Sequence, residues 1–455
     1  MAVGMKVAVI GAGWSGCAAA VEATQRGHEV TLFESARIAG GRARRVDAIV
    51  AGERMQIDNG QHILIGAYAE TLRLMSTLGV DIDAGLLRIP LRLQFPNGDG
   101  LNFPDWRVPA AVQALIGILG ARGWAWQEKW SLLRLAMRWQ AGGFECPADM
   151  SVATLCSGLS PRALAGLIEP LCVSALNTPA ERASAQVFLR VMQDALFSHA
   201  GASDLLLPRT DLSALLPDAA LKWLTQRGPA PRLGVRVESL TLGSEGWRIG
   251  ARSSDAQDSD QTFEAVILAC PPTEAVRLVG KVTKPVTDTA QSSDTFTAEI
   301  NRWITLANSL QHEALATVYA QVFPATHHAK RACLTQPMLA LTSSPEEPAQ
   351  FVFDRGQLGG PAGLLAFVVS ASQGDTAQIS AQVLAQGQRQ LGLPLALVQT
   401  IIEKRATFAC TPNLQRPGAQ INPGLLACGD YIAGPYPATL EGAVRSGLQA
   451  AELLG

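Results

Sequence analysis

Charge is in short supply. Asp, Glu, Lys and Arg make up 17 % of the 455 residues, against roughly 25 % in an ordinary soluble chain. The charge present nearly cancels, with 37 basic residues against 39 acidic ones, dispersed along the sequence. A nucleic-acid-binding chain needs a basic footprint, and none is here. Mean hydropathy is +0.15. Intrinsic disorder, which requires low hydrophobicity and high net charge, is therefore excluded.

Long apolar runs are also missing. Val108–Leu119 and Gly363–Ser370 are interrupted and fall short of the ~18 residues that a membrane-spanning helix requires. At the N-terminus the apolar stretch Lys6–Ile10 meets Gly11 at once, with no extended h-region and no small-residue cleavage site. The expected location is therefore cytoplasmic. Eight cysteines, at 17, 146, 156, 172, 270, 333, 410 and 428, include no CxxC pair. That argues against a zinc ribbon or a thioredoxin-type centre and for buried reduced thiols. His327-His328, with no other ligand nearby, reads as loop surface.

What is present is concentrated near the front. Lys6–Ile10 reads as a buried β-branched strand, followed directly by Gly11-Ala12-Gly13-Trp14-Ser15-Gly16. Cys17–Gln25 is rich in helix formers, Arg26-Gly27 caps it, and Glu29–Phe33 alternates as a second strand ending at Glu34. This is strand, GxGxxG, helix, strand and acid, the acid lying 18 residues past the last glycine. Gly11 permits the tight turn, Gly13 lets backbone approach a pyrophosphate, and Gly16 lets helix pack on strand. The helix start, including Ser15, offers free N–H groups and a positive dipole end to phosphate. Glu34 can accept both hydroxyls of an adenosine ribose. A 2′-phosphate would meet that carboxylate, which disfavours NADP.

Eight residues past Glu34 comes Arg42, within Gly40-Gly41-Arg42-Ala43-Arg44, a second glycine pair with arginines. The plain alternative is an Arg-rich surface loop. This segment resembles the GGR motif of the flavin amine oxidase and phytoene desaturase superfamily. The resemblance implies FAD, with Gly41 and Arg42 meeting its pyrophosphate and flavin, and with Gly60, in Asp58-Asn59-Gly60-Gln61-His62, on the segment that returns towards the ring. It extends to a β-meander (Val235–Val237, Gly246–Ile249, Ala265–Ala269, then Cys270-Pro271-Pro272) in which Val237 would pair its backbone with adenine. At the far end, Gly424–Asp430 reads as a strand ending in Gly-Asp, and Ala438–Val444 opens a helix. There the resemblance makes Asp430, Thr439 and Leu440 flavin contacts, and a helix start can stabilise the reduced ring.

The expected fold class is α/β, a discontinuous Rossmann-type FAD-binding domain with an α+β substrate domain. The first would comprise 1–75, 205–275 and 415–455, and the second 76–204 and 276–414. No second strand–GxGxxG unit exists, so a resident NAD(P)H domain is not expected. Trp106, Trp124, Trp126, Trp130 and Trp139, interleaved with Arg122, Lys129, Arg134 and Arg138, suit either a membrane surface or a tryptophan-rich core. The first option would place the chain peripherally on the inner face of the cytoplasmic membrane.

Amine oxidases of the superfamily carry a lysine near the flavin on a strand after the Pro-Pro break. The matching strand here, Ala314–Tyr319, has none. Over most of its length the chain more closely resembles the hydroxysqualene dehydroxylases, or squalene-associated FAD-dependent desaturases, of bacterial squalene and hopanoid pathways. The residues carrying this are Asn59–Tyr68, Pro170–Pro179, and Gly429-Asp430-Tyr431 with Pro437–Ala443. The resemblance implies a C30 isoprenoid substrate and reductive removal of an allylic hydroxyl. It also implies an external electron donor, either NAD(P)H or another flavoprotein. A carotenoid-type polyprenoid desaturase is the alternative, and a non-catalytic FAD protein organising lipid synthesis is a third option. His62 is the first candidate for proton donor, ahead of Tyr436 and Glu441.

Overall fold

The computed structural model describes residues 4–50, 52–106, 108–253, 261–282, 290–323 and 332–455. Val7, Ala8 and Val9 are fully buried, because an unbroken apolar strand needs both faces covered. Lys6–Ile10 lies inside a six-stranded sheet. Its order is Arg232–Leu233, Glu29–Glu34, Lys6–Ile10, Ala265–Leu268, Leu425–Ala427, Gln420–Asn422. The first five strands run parallel and the last pairs antiparallel. One sheet is thus assembled from three stretches of chain far apart in sequence.

The helix Trp14–Gln25 begins within the glycine turn, three residues before the expected Cys17. Gly13 caps it, and Cys17 N–H already bonds to Gly13 C=O at 2.9 Å. The closing helix Leu440–Glu452 crosses it at very short range. A Cβ on Gly447 would stand 2.2 Å from Ser15 O, and one on Gly16 would stand 1.9 Å from Gly11 O. Only glycine fits either position. The meander's third strand is Gln261–Phe263, not Ala265–Ala269, which belongs to the main sheet. Glu264 makes the transfer. Its N–H donates to Lys6 O at 2.8 Å, and its carboxylate accepts from Lys6 N at 2.7 Å.

The second unit is built on a five-stranded antiparallel sheet in the order Met338–Ala340, Phe351–Asp354, Leu364–Ser370, His312–Val322, Leu395–Phe408. Alternation sorts the faces of His312–Val322. Ala316, Val318 and Ala320 pack with Ile379 and Val383 of the helix Thr376–Leu391. On the other face Tyr319 donates its hydroxyl to Asp58 O at 2.8 Å. Residues 108–200 are mainly helical. One run there, from Pro161 to Leu176, contains a π-turn at Leu164–Ile168 and ends on Asn177 in the left-handed region (φ 46°). The Asn177 side chain bonds to Thr407 Oγ1 at 3.0 Å and Ala371 N at 2.8 Å, fastening these helices to the sheet.

The tryptophan group divides between core and exposed surface. Trp124 and Trp139 pack against the core, whereas Trp106, Trp126 and Trp130 are 62, 66 and 47 % exposed. All eight cysteines are free. Among the described residues no helix is long and apolar enough to cross a membrane.

Two buried carboxylates tie together stretches of chain far apart in sequence. Glu441, with no exposure, accepts from Thr71 N (2.9 Å), Thr71 Oγ1 (2.7 Å), Glu70 N (3.1 Å) and Arg445 Nε (2.6 Å). It gathers the free N–H groups at the start of the helix Ala69–Thr77 onto the last helix. Asp58 accepts from Leu212 N at 2.8 Å. Burial pushes its carboxyl up to about 6, against the pull of the Leu212 amide and the Arg355 cation.

Glu441→Ala orphans these donors and should cost roughly 3–5 kcal/mol, with Gln losing less. Urea unfolding measures it, and an unchanged midpoint would show that the clamp supports nothing. Asp58 binds its proton more tightly folded than unfolded, so its stability contribution is complete below pH ~4 and is lost as pH rises through about 6. Asp58→Asn, neutral throughout, should therefore gain up to about 3 kcal/mol on the native protein between pH 4 and 7.5. Melting curves across that range would refute this if the two proteins ran in parallel.

Candidate functional site

The carboxyl ends of the parallel strands form a crevice at which the glycine turns meet. Gly40 N–H donates to Ala12 O at 2.8 Å, which sets the second glycine pair across the mouth of the first. A Cβ on Gly13 would meet nothing nearer than Gly41 Cα, at 4.0 Å. The gap suits a backbone-lined group such as a pyrophosphate. Glu34 accepts from Ala12 N and Ala36 N, both at 2.8 Å, so its carboxylate is fixed at the turn. Trp14 Nε1 donates to Ala43 O at 3.0 Å and locks the helix start to the Arg42 loop.

That loop is further held by Asn59, which takes Arg44 N–H on Oδ1 (2.9 Å) and donates Nδ2 to Arg42 O (2.9 Å). Arg42 pairs with Asp430 and also donates to Ala406 O. Two residues distant in sequence, both expected on the cofactor, thus stand together. Gly60 and His62 lie beside them. His62 Nδ1 is 2.8 Å from Gly60 O; since a carbonyl only accepts, Nδ1 carries the hydrogen and Nε2 is left as an acceptor. Burial foremost, with the Arg42 cation, lowers its pKa against the favouring bond to Gly60. The imidazole is therefore neutral at pH 7. Val237 is buried in the meander, and its carbonyl accepts from Arg277 at 3.0 Å.

The last helix starts in the crevice. Thr439 caps it, accepting from Gly442 N at 2.9 Å, and Leu440 is its first residue. Beside Thr439 opens a cavity of about 130 Å³. Its walls are mostly aliphatic, among them Ile63, Leu171, Met192 and Leu205, with Tyr68, Ser174, Asp194, Ser203, Tyr436 and Thr439 as polar members. Among these, Tyr68 lies in electrostatic reach of Thr439, and Tyr436 in reach of Asp194 and of Arg190 behind the wall. Glu441, by contrast, is spent on its four donors and faces no cavity.

Sequence reasoning missed Asn59 as the loop's clamp, and it missed Asp194 and Arg190. Asp194 sits on a helix whose other residues read as ordinary core, and nothing local sets it apart. It also passed over Tyr431. Its hydroxyl is buried without a partner among the described residues and lies in electrostatic reach of Arg42, Asp430, Cys270 and Cys428. An orphan donor there, with the open glycine cleft and the fixed Glu34, fits a dinucleotide carrying a polar chain. No three metal-ligating side chains converge among the described residues, and His327-His328 lie outside them.

Comparison with known proteins agrees with this geometry. Residues 14–389 match the family of flavin containing amine oxidoreductases. Hydroxysqualene dehydroxylase of Rhodopseudomonas palustris is 29 % identical over 98 % of both chains. That of Sinorhizobium fredii is 27 % identical over 98 % of this chain and 97 % of its own. Zeta-carotene desaturase of Zea mays is 42 % identical, but over only 17 % of this chain and 13 % of its own. Among solved structures, an oxidoreductase from Methanosarcina mazei superposes with a TM-score of 0.68 at 16 % identity, covering 98 % of this chain and 100 % of that one. The chain is an FAD-dependent oxidoreductase and belongs to the flavin-containing amine oxidoreductase family.

Proposed function

We propose that this protein reductively dehydroxylates hydroxysqualene to squalene, serving bacterial squalene and hopanoid synthesis. The observation that carries this is the cavity: aliphatic walls that suit a stretch of isoprenoid chain, with hydroxyl and carboxyl groups among them. Full-length similarity to two hydroxysqualene dehydroxylases supports it. So does the face of His312–Val322 turned towards Asp58 and Gly60, which presents Leu315, Thr317 and Tyr319 and no lysine. The similarity to a carotene desaturase covers a short stretch only.

In this reading Gly11, Gly13, Ser15 and Gly16 hold the FAD pyrophosphate at the helix start, and Glu34 takes the adenosine ribose. Val237 borders adenine, Gly41, Arg42 and Gly60 flank the ring side, and Asp430 takes a ribityl hydroxyl. Thr439 and Leu440 place a helix N-terminus against charge on the reduced ring. Bound FAD, once reduced, supplies hydride. His62 steadies the Gly60 turn and offers Nε2 as an acceptor. The walls exclude water from the allylic carbon. With no second dinucleotide unit in the sequence, the electrons come from NAD(P)H binding in passing or from another flavoprotein.

The exposed Trp126, Trp130 and Met137 of the helix Trp126–Ala141, with Leu115 of the helix Ala110–Gly120 and Trp106 just before it, form the surface that would rest on a membrane holding the substrate.

The photoreduced protein, mixed anaerobically with hydroxysqualene, should regain oxidised-flavin absorbance and yield one squalene per flavin by mass spectrometry. A flavin that stays reduced, with no squalene, would sink the assignment in favour of a desaturase. Trp126→Ser with Trp130→Ser should weaken sedimentation with anionic vesicles by about tenfold or more and leave the melting temperature unchanged. Undiminished vesicle binding would remove the membrane face.

A further inference from the structure

A hydroxyl leaving carbon inside an aliphatic cavity must depart as water, because hydroxide there is neither solvated nor paired. It needs a proton donor in the wall. His62 is not in the cavity wall, and its one hydrogen points to Gly60 O. Glu441 is saturated by Glu70, Thr71 and Arg445. Tyr68 is in the wall, but the Glu441 carboxylate stands near it and opposes a phenolate.

Tyr436 differs. Its hydroxyl stands in electrostatic reach of Asp194 and Arg190, which pair with each other at 2.8 Å. The guanidinium carbons of Arg445 and Arg190 lie 4.8 and 5.9 Å from its ring centroid. Burial and the Asp194 carboxylate raise its pKa against the Arg445 and Arg190 cations, so the phenol keeps the proton it would donate. The backbone is pinned as well. Thr439 Oγ1 donates to Tyr436 O at 3.0 Å, and a Cβ on Gly442 would stand 1.8 Å from that oxygen.

Resting on the reaction proposed above, we propose that Tyr436 binds the substrate hydroxyl and donates the proton with which it leaves, with Asp194 and Arg190 as its positioning residues. The C–O bond breaks with its electron pair on oxygen. The Tyr436 proton joins that oxygen and water departs. The allylic carbon takes hydride from the reduced flavin, so the carbon gains two electrons and the flavin loses two. Tyr436 recovers its proton from solvent by way of Asp194, whose side chain is 17 % exposed.

Tyr436→Phe keeps the ring between its two guanidinium groups. Reduced holoenzyme carrying it should reoxidise with hydroxysqualene at least about a hundredfold more slowly, at unchanged affinity of the apoprotein for FAD. Asp194→Asn should slow the same step by about tenfold. A second measurement needs no turnover: binding of farnesol and of the matching hydrocarbon farnesene to the protein, followed by tryptophan fluorescence. The wild type should favour the alcohol by about fivefold, and Tyr436→Phe should abolish the preference. A variant that reoxidises at the wild-type rate, or that still prefers the alcohol, overturns the proposal while leaving the reaction standing. If wild type makes no squalene, the reaction fails, and the alcohol preference alone decides whether Tyr436 binds a hydroxyl.

Discussion

Glu441 is a carboxylate without water, and its four donors come from both sides of the cofactor crevice. On one side it fixes Glu70 and Thr71, directly after Tyr68. On the other it belongs to the first turn of the last helix, directly after Thr439. Two of the cavity's polar members, Tyr68 and Thr439, therefore stand next to what this one anion holds. Its cost is desolvation, offset by charge-assisted bonds to Arg445 and to amides that a helix start leaves free. The same helix start lines the cavity through its cap Thr439, so a single element serves both the clamp and the wall.

The dinucleotide end was legible because its constraints are local. A glycine that must clear a carbonyl by an ångström, or an acid that closes a turn, leaves a mark within forty residues. Gly16, Gly41 and Glu34 are of this kind. The crossing of the chain from meander to main sheet was less legible. Gln261–Phe263 is too short to show alternation, and Glu264 resembles any charged residue until Lys6 lies beside it.

The cavity was the least legible part. Asp194, Tyr436 and Arg445 come from separate elements and meet only in three dimensions. One compositional signal was available. The chain has four tyrosines, and each of them serves this region: Tyr68 and Tyr436 in the wall, Tyr319 on Asp58, Tyr431 in the crevice. In a chain this apolar, phenol groups are placed where a hydroxyl has work. The tryptophans resolved in the same way. Those with a core partner, such as Trp139 against Phe188 at 6.1 Å, turned inward, and three others did not.

The parallel sheet has a consequence for biosynthesis. Its central strands, Lys6–Ile10 and Ala265–Leu268, wait for Leu425–Ala427 and for the helix Leu440–Glu452 before the sheet is covered on that side. Contacts of such sequence separation form slowly. As the ribosome adds the stretch between, the apolar edge of Ala265–Leu268 stays open, a template for the wrong neighbour. The crevice is thus complete only once Leu425–Ala427 and Leu440–Glu452 have joined strands made about 150 residues or more earlier.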